Sequence, residues 1–182
     1  KENLPAFTAV FFDTGWEHPL TYAYVQHINE TQLAGRLVTV KSEKYPGGMR
    51  ELVTKKQMVP NHRMRFCTEE LKVRPFFRWM DGQAFDEATV YQGIRAAESS
   101  ARSKMTRRTW EPAYEAWIER PLFDWKHEQV FEMLRAHGVA PNPLYKMGAS
   151  RVGCFPCIMC GHGELRRVSS VLPEVWSRIA EI

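Results

Sequence analysis

No stretch of about 18 consecutive apolar residues occurs in the chain, so a membrane-crossing helix is excluded. The N-terminus carries no charged-then-apolar leader, and the expected compartment is cytoplasmic. Internal repeats and low-complexity tracts are also missing, which sets aside solenoids and disordered linkers. Charge of one sign does not dominate: the net charge of +4 is too modest for a nucleic-acid tail. Cysteine is scarce, with four in 182 residues. Two disulfides would be allowed by that count, but in a reducing compartment metal or redox chemistry is the better reading. What is present, 44% hydrophobic and 12% aromatic residues, suffices for one sizeable core, and a single domain over residues 1–182 is expected.

The scarce cysteines are not scattered. Cys154, Cys157 and Cys160 form a C-x-x-C-x-x-C run, and Cys67 lies far upstream in Arg65-Phe-Cys-Thr68. Thiolates repeating every third residue can turn onto one centre, and a fourth from elsewhere would complete the ligands of a zinc ion or an iron-sulfur cluster. Arginines gather beside the polar segments, at Arg63, Arg65, Arg74, Arg78, Arg95, Arg102, Arg107, Arg108 and Arg151, which favours an anionic ligand such as a nucleotide. DNA or RNA stays open as a second partner.

Along the chain, Phe7–Phe12 reads as a buried strand ending in the polar loop Asp13-Thr-Gly15. A helix is expected from Pro19 to about Leu33, with proline in its first turn, and a second strand at Arg36–Val40. This strand, helix, strand order builds parallel sheets. Residues 41–62, rich in charge and holding Pro46-Gly-Gly48 and Pro60, are expected to form a long loop. A helix over Glu69–Met80 would be capped by Thr68. A third strand at Ala88–Ile94 runs into Arg95–Arg102, a basic linker follows, and helices are expected over Lys126–His137 and Pro173–Ile182. Polar loops at the ends of such strands are where open α/β sheets bind ligands.

Six segments in order resemble the phosphoadenosine-phosphosulfate reductase family, within the adenine nucleotide alpha hydrolase superfamily: Asp13-Thr-Gly-Trp-Glu-His-Pro19, Arg65-Phe-Cys-Thr-x-x-Leu-Lys72, Gly93-Ile-Arg-Ala-Ala-Glu-Ser99 with Arg102, Arg120-Pro-Leu-x-x-Trp125, Asn142-Pro-Leu-Tyr145 and Arg151-Val-Gly-Cys-x-x-Cys157. The resemblance implies an α/β fold, a twisted, mainly parallel sheet with helices on both faces and an adenine nucleotide across the strand ends. The family's first strand and its Ser-Gly-Gly-Lys-Asp-Ser phosphate loop have no counterpart here. The chain starts at Lys1 about where the second strand should begin, so it is expected to be truncated at its N-terminus.

On this resemblance Asp13, Thr14 and Gly15 are expected beside the nucleotide, with an ordinary strand-ending turn as the alternative. Gly93, Ile94, Arg95 and Arg102 would bind phosphate or sulfate, with Glu98 orienting a guanidinium; a solvated helix start is the alternative. Asp13, Arg95 and Glu98 are the catalytic candidates. The iron-sulfur branch of the family, the adenylylsulfate reductases, uses a Cys-Cys pair and a later Cys-x-x-Cys. Cys67 aligns with one member of the pair, Phe66 stands at the other, and Cys160 would supply the missing ligand. The resemblance therefore implies a [4Fe-4S] cluster on Cys67, Cys154, Cys157 and Cys160, with zinc second, unmetallated core thiols third and His162 an alternative ligand.

Reductases of the family carry a nucleophile in a Glu-Cys-Gly-Leu-His type tail, which Cys160-Gly161-His162 echoes only faintly. That departure favours relatives that use ATP and magnesium to activate a substrate for sulfur insertion, nucleic acid included, as in DNA phosphorothioation. Sulfonucleotide reduction to sulfite is the alternative, and a non-catalytic nucleotide- or nucleic-acid-binding module the third. The implied protein partner is a sulfur or electron donor, a cysteine desulfurase or a thioredoxin-like protein.

Overall fold

The structure, a computed structural model, describes residues 6–83, 85 and 87–181. Chain contacts divide it into two compact units, Lys1–Trp79 with Asn142–Ile182, and Met80–Pro141.

In the first unit, β1 (Ala9–Phe12) pairs in parallel with β2 (Leu37–Val40), Ala9 opposite Leu37 and Phe12 opposite Val40. Between them runs α1 (Pro19–Thr31). Proline at its first position is already fixed near helical φ, and His18 caps it by accepting the Leu20 N–H on Nδ1 at 3.1 Å. These elements follow the sequence expectation closely.

Residues 41–62 depart from it: instead of a long loop they contain α2 (Gly48–Lys56). Met49, Leu52 and Val53 lie on one helical face and are buried with Trp16, Tyr45 and Leu71, and that burial outweighs the charges that disguise the segment. The next helix also begins earlier than expected. α3 (Phe66–Thr68) places Thr68 inside the helix, and Arg65 stands at the cap, its guanidinium donating to the Thr68 hydroxyl at 3.4 Å without capping a backbone N–H, so Thr68 is not the N-cap. A π-turn over Glu69–Val73 leads into α4 (Arg74–Asp81). Pro75 explains the widening, because it has no N–H for the Leu71 carbonyl and its ring crowds that oxygen.

The second unit holds β3 (Thr89–Tyr91), α5 (Ser100–Ser103), β4 (Arg108–Glu111), β5 (Ala116–Glu119) and α6 (His127–Ala136). β5 is central, parallel to β3 and antiparallel to β4. The stretch read as a basic linker is thus a hairpin. Its turn is Pro112 to Glu115, with Glu115 at φ 47°, and has none of the Asn-Gly chemistry that announces a hairpin. Ala116, Ile118 and Arg120 alternate along one buried face.

Back in the first unit, α7 (His162–Val171) and α8 (Glu174–Ala180) follow the cysteine run. His162 opens α7, and the expected end of the last helix, Ile182, lies outside the described residues. A second buried cluster, Leu144, Ala149, Phe155, Val168 and Val175, packs these helices against Leu20 of α1. The fold is α/β, with two of the three described strand pairings parallel. No helix among the described residues is long and apolar enough to cross a membrane.

Candidate functional site

The Asp13–Gly15 loop is a continuation of β1. Asp13 N–H still donates to the Val40 carbonyl at 3.0 Å, so the strand ends deliver Asp13 and Lys41 side by side, with Lys41 Nζ 2.7 Å from Asp13 Oδ2. The other carboxylate oxygen, Oδ1, accepts from the Gly15 N–H at 2.9 Å and the Tyr22 hydroxyl at 2.7 Å. Burial works to raise the Asp13 pKa, but the hydrogen bonds from Lys41, Tyr22 and Gly15 together hold it below the usual carboxylate value. Burial first, then Asp13, pushes the Tyr22 phenol far above its usual range, so it stays a donor.

Gly15 takes φ +66° at this turn, and Gly48 takes φ +68° where α2 abuts it. Met49 N–H donates to the Thr14 carbonyl at 2.9 Å. Asp13, Gly15, Tyr22, Lys41, Ser42, Tyr45, Pro46 and Gly48 surround an open pocket of about 370 Å³, within the size range of small-molecule sites.

Behind the loop lies Glu17, which sequence reading passed over. It is buried, and its carboxylate accepts from the Thr14 N–H (3.0 Å) and hydroxyl (2.7 Å), the Trp16 N–H (3.3 Å) and the Tyr22 hydroxyl (3.2 Å). The Cys154 thiol is 3.7 Å from the same carboxylate and 3.4 Å from the Thr14 hydroxyl. Backbone contacts hold the two segments together: Phe155 N–H donates to the Trp16 carbonyl at 2.7 Å, and Trp16 Nε1 donates to the Pro156 carbonyl at 3.1 Å. From α8, Arg178 donates to the Glu17 carbonyl at 3.2 Å and lies over the Trp16 ring. A carboxylate chain, Asp13–Tyr22–Glu17, thus runs from the pocket to a cysteine.

All four cysteines are half-buried and none is in a disulfide. Cys67 and Cys154 pack on the Trp16–Leu71 core, and Arg151, Cys154, Cys157, Cys160 and Glu164 line one cleft. Burial raises the thiols of Cys67, Cys154 and Cys160, and each also feels Cys157; Lys72 opposes the effect at Cys154. Cys157 Sγ accepts from the Arg151 guanidinium (3.1 Å) and the Met159 N–H (3.4 Å). Among the described residues, no three His, Cys, Asp or Glu side chains converge on a single ion position. Cys154, Cys157 and Cys160 line the same cleft, whereas Cys67 is on the neighbouring core, so the soft-sulfur donors are near one another without forming a closed ligand set. No bond of His162 joins it to this set.

In the second unit, Glu98 pairs with Arg95 (3.2 Å) three positions before it and with Arg102 four positions after it, contacts common to the ligand-binding reading and to the solvated helix start. Arg95 also reaches His127 Nδ1 at 3.5 Å. Ser99 caps α5 by accepting the Arg102 N–H at 3.2 Å. Nothing lies within 4 Å of where a Cβ on Gly93 would stand, so neighbouring atoms do not require glycine there. Ile94 is half-buried. Two other motif residues have structural work: Arg120 donates to the Thr106 carbonyl inside the hairpin, and Asn142 caps the turn at Pro143–Tyr145.

Glu17, Tyr22 and Lys41 are the site residues that sequence reading missed. Lys41 had a signal, since the residues following two adjacent parallel strands sit side by side. The contact of Cys154 with Thr14 spans 140 positions and had none.

Residues 1–160 match the model of the phosphoadenosine phosphosulfate reductase domain. An uncharacterized 37.8 kDa protein of Escherichia phage 186 is 32% identical over 230 residues, which cover 99% of this chain and 68% of that one. The adenosine 5'-phosphosulfate reductase of Allochromatium vinosum is 33% identical over 91 residues, 50% of this chain and 34% of that enzyme. The crystal structure of phosphoadenylyl-sulfate reductase from Candida auris, a phosphate complex, superposes with a TM-score of 0.64 at 20% identity, covering 85% of this chain and 72% of that one, and shows a shared fold.

Proposed function

Because the chain belongs to the phosphoadenosine phosphosulfate reductase domain family, we propose that it forms the nucleotide-binding part of an enzyme of sulfur chemistry, with an adenine nucleotide in the Asp13–Gly15 pocket. The observation that carries this reading is the proximity of the pocket to the thiols: the Tyr22 hydroxyl lies between Asp13 and Glu17, sharing its one proton, and Glu17 in turn contacts Cys154. Lys41 supplies the cation for a phosphate, and Asp13 orients it. Arg95 and Arg102, bridged by Glu98, offer a second anion-binding group.

In the ATP-using reaction, an acceptor oxygen attacks the α-phosphorus. The new O–P bond forms as the bond to pyrophosphate breaks, and pyrophosphate leaves; Mg²⁺ carried in with the nucleotide would supply countercharge. A sulfur nucleophile then displaces AMP from the activated acceptor. Cys67, Cys154, Cys157 and Cys160 would hold a [4Fe-4S] cluster, which when bound supplies one-electron redox chemistry or a sulfur site. The chain's part is to bind and orient: Thr14 and Glu17 fix Cys154, and Arg151 supports Cys157.

A second reading is reduction of a sulfonucleotide to sulfite, favoured by relatives named as reductases. It needs a cysteine thiolate to attack sulfate sulfur. Within this chain Cys160 is the candidate, and as a metal ligand it would not be free to attack, which favours the ATP reaction. Product analysis separates them. Anaerobically purified protein given ATP, Mg²⁺ and a sulfur donor should release AMP and pyrophosphate. Sulfite from a sulfonucleotide, with ATP untouched, would reverse the assignment.

A further inference from the structure

We propose that the outward face of the β3-β5-β4 sheet is a stacking platform for single-stranded nucleic acid. The register sets its composition. Thr89, Trp117 and Trp110 lie in one cross-strand row, and Tyr91, Glu119 and Arg108 lie in the next row of the same face. The opposite face takes the buried Ala116, Ile118 and Arg120, so alternation turns the aromatic row outward. Tyr91 is 72% exposed, Trp110 46% and Trp117 39%. A single exposed aromatic is ordinary, but three on one sheet face form a patch that asks for a partner.

The geometry selects the partner's chemistry. Trp110 and Trp117 meet edge to face, 5.5 Å between centroids and 71° apart, and the Arg108 guanidinium lies 4.0 Å from the centroid of the Trp117 ring. Arg108 already covers Trp117 as a planar cation covers a π-face, and bases on an anionic backbone can stack on the open rings of Trp110 and Tyr91 and exchange with that guanidinium. From Ser99 to Trp110 the sequence holds Arg102, Lys104, Arg107 and Arg108 and no acidic residue, so a cationic stretch leads directly into the platform. Arg107 and Arg108 pair with Asp124 and Glu119 on exposed surface, where such pairs are weak and phosphates can compete for them. Stacking on side chains requires bases free of a duplex, which selects single strands. Apart from Arg102, which pairs with Glu98, none of these residues belongs to the groups assigned above, and the inference does not depend on the reaction proposed there.

The test is titration of the purified protein with a fluorescein-labelled oligothymidine of about 15 nucleotides, read by anisotropy and by tryptophan quenching, with a duplex of equal length alongside. Saturable binding is expected for the single strand, weaker for the duplex, with quenching. Trp110→Ala and Trp117→Ala should each weaken it about five-fold or more, while Trp110→Phe retains most of it. Replacing Lys104 and Arg107 by glutamine should weaken binding and flatten its salt dependence. Circular dichroism confirms that each variant is folded, and Tyr91→Ala, on the most exposed ring of an edge strand, gives a platform variant that leaves the packing intact. Absence of saturable binding overturns the proposal, as does equal binding by folded aromatic variants or by duplex. So does loss of self-association, rather than of oligonucleotide binding, in those variants, which would assign the face to a second copy of the chain.

Discussion

Replacing Gly48 by alanine should damage the protein out of proportion to one added methyl group. Gly48 has φ +68°, and a Cβ built on it stands 2.2 Å from the Thr14 carbonyl oxygen, 2.9 Å from its carbon and 3.0 Å from Gly15 Cα. All three are backbone atoms, so no side chain can rotate away. The left-handed conformation alone costs alanine about 1–2 kcal/mol. Relieving the clash means parting α2 from the loop, which breaks the 2.9 Å bond from Met49 N–H to the Thr14 carbonyl and loses about 1–3 kcal/mol if those groups stay buried. A total of roughly 2–5 kcal/mol corresponds to a fall in melting temperature of about 4–20 °C for a chain of this size. Gly35→Ala is the control: it has φ +78° but nothing within 4 Å of its Cβ position, so it carries only the backbone penalty, a few degrees at most. Thermal unfolding followed by circular dichroism compares the two. Should Gly48→Ala melt within about 2 °C of Gly35→Ala, the close approach of α2 to the loop is wrong. ATP binding should also weaken in Gly48→Ala alone, because the displaced atoms belong to the pocket wall.

Lys41→Met removes a partner that helps hold Asp13 ionised. Because the Asp13 pKa is depressed in the folded state, its stabilisation is present above the ordinary carboxylate range and is lost as pH falls through the folded value; the stability gap between wild type and variant, measured by urea unfolding, should be widest near neutrality and close in acid. Glu17→Gln deletes a negative charge beside Cys154 and should raise the reduction potential of a bound cluster by an amount on the order of tens of millivolts in voltammetry, and an unchanged potential would detach Glu17 from the centre. Glu98→Gln frees Arg95 and Arg102 from their shared carboxylate; calorimetry should then show altered nucleotide affinity, and identical affinity would assign the trio to the solvated surface.

Local chemistry made part of this molecule legible. Pro19 and the polar turn before it mark the start of α1, and Phe7–Phe12 and Arg36–Val40 mark strands by their apolar content. The α2 helix escaped because Gly47-Gly48 and the charged residues Arg50, Glu51, Lys55 and Lys56 mask a buried face of only three bulky side chains, Met49, Leu52 and Val53. The β4-β5 hairpin escaped because its turn bends at Glu115 instead of at a glycine. At the candidate site, Asp13, Thr14 and the four cysteines carry motif signals. Their linkage through Glu17 arises from packing of segments about 140 positions apart, which no local pattern encodes.

The joined pocket and thiol set are tested most directly by chemical analysis of the anaerobically purified protein for iron and acid-labile sulfide. The account predicts iron and sulfide in equal amounts, at about four of each per chain, lost when Cys67, Cys154, Cys157 or Cys160 is changed to serine. One zinc per chain with no sulfide would contradict it.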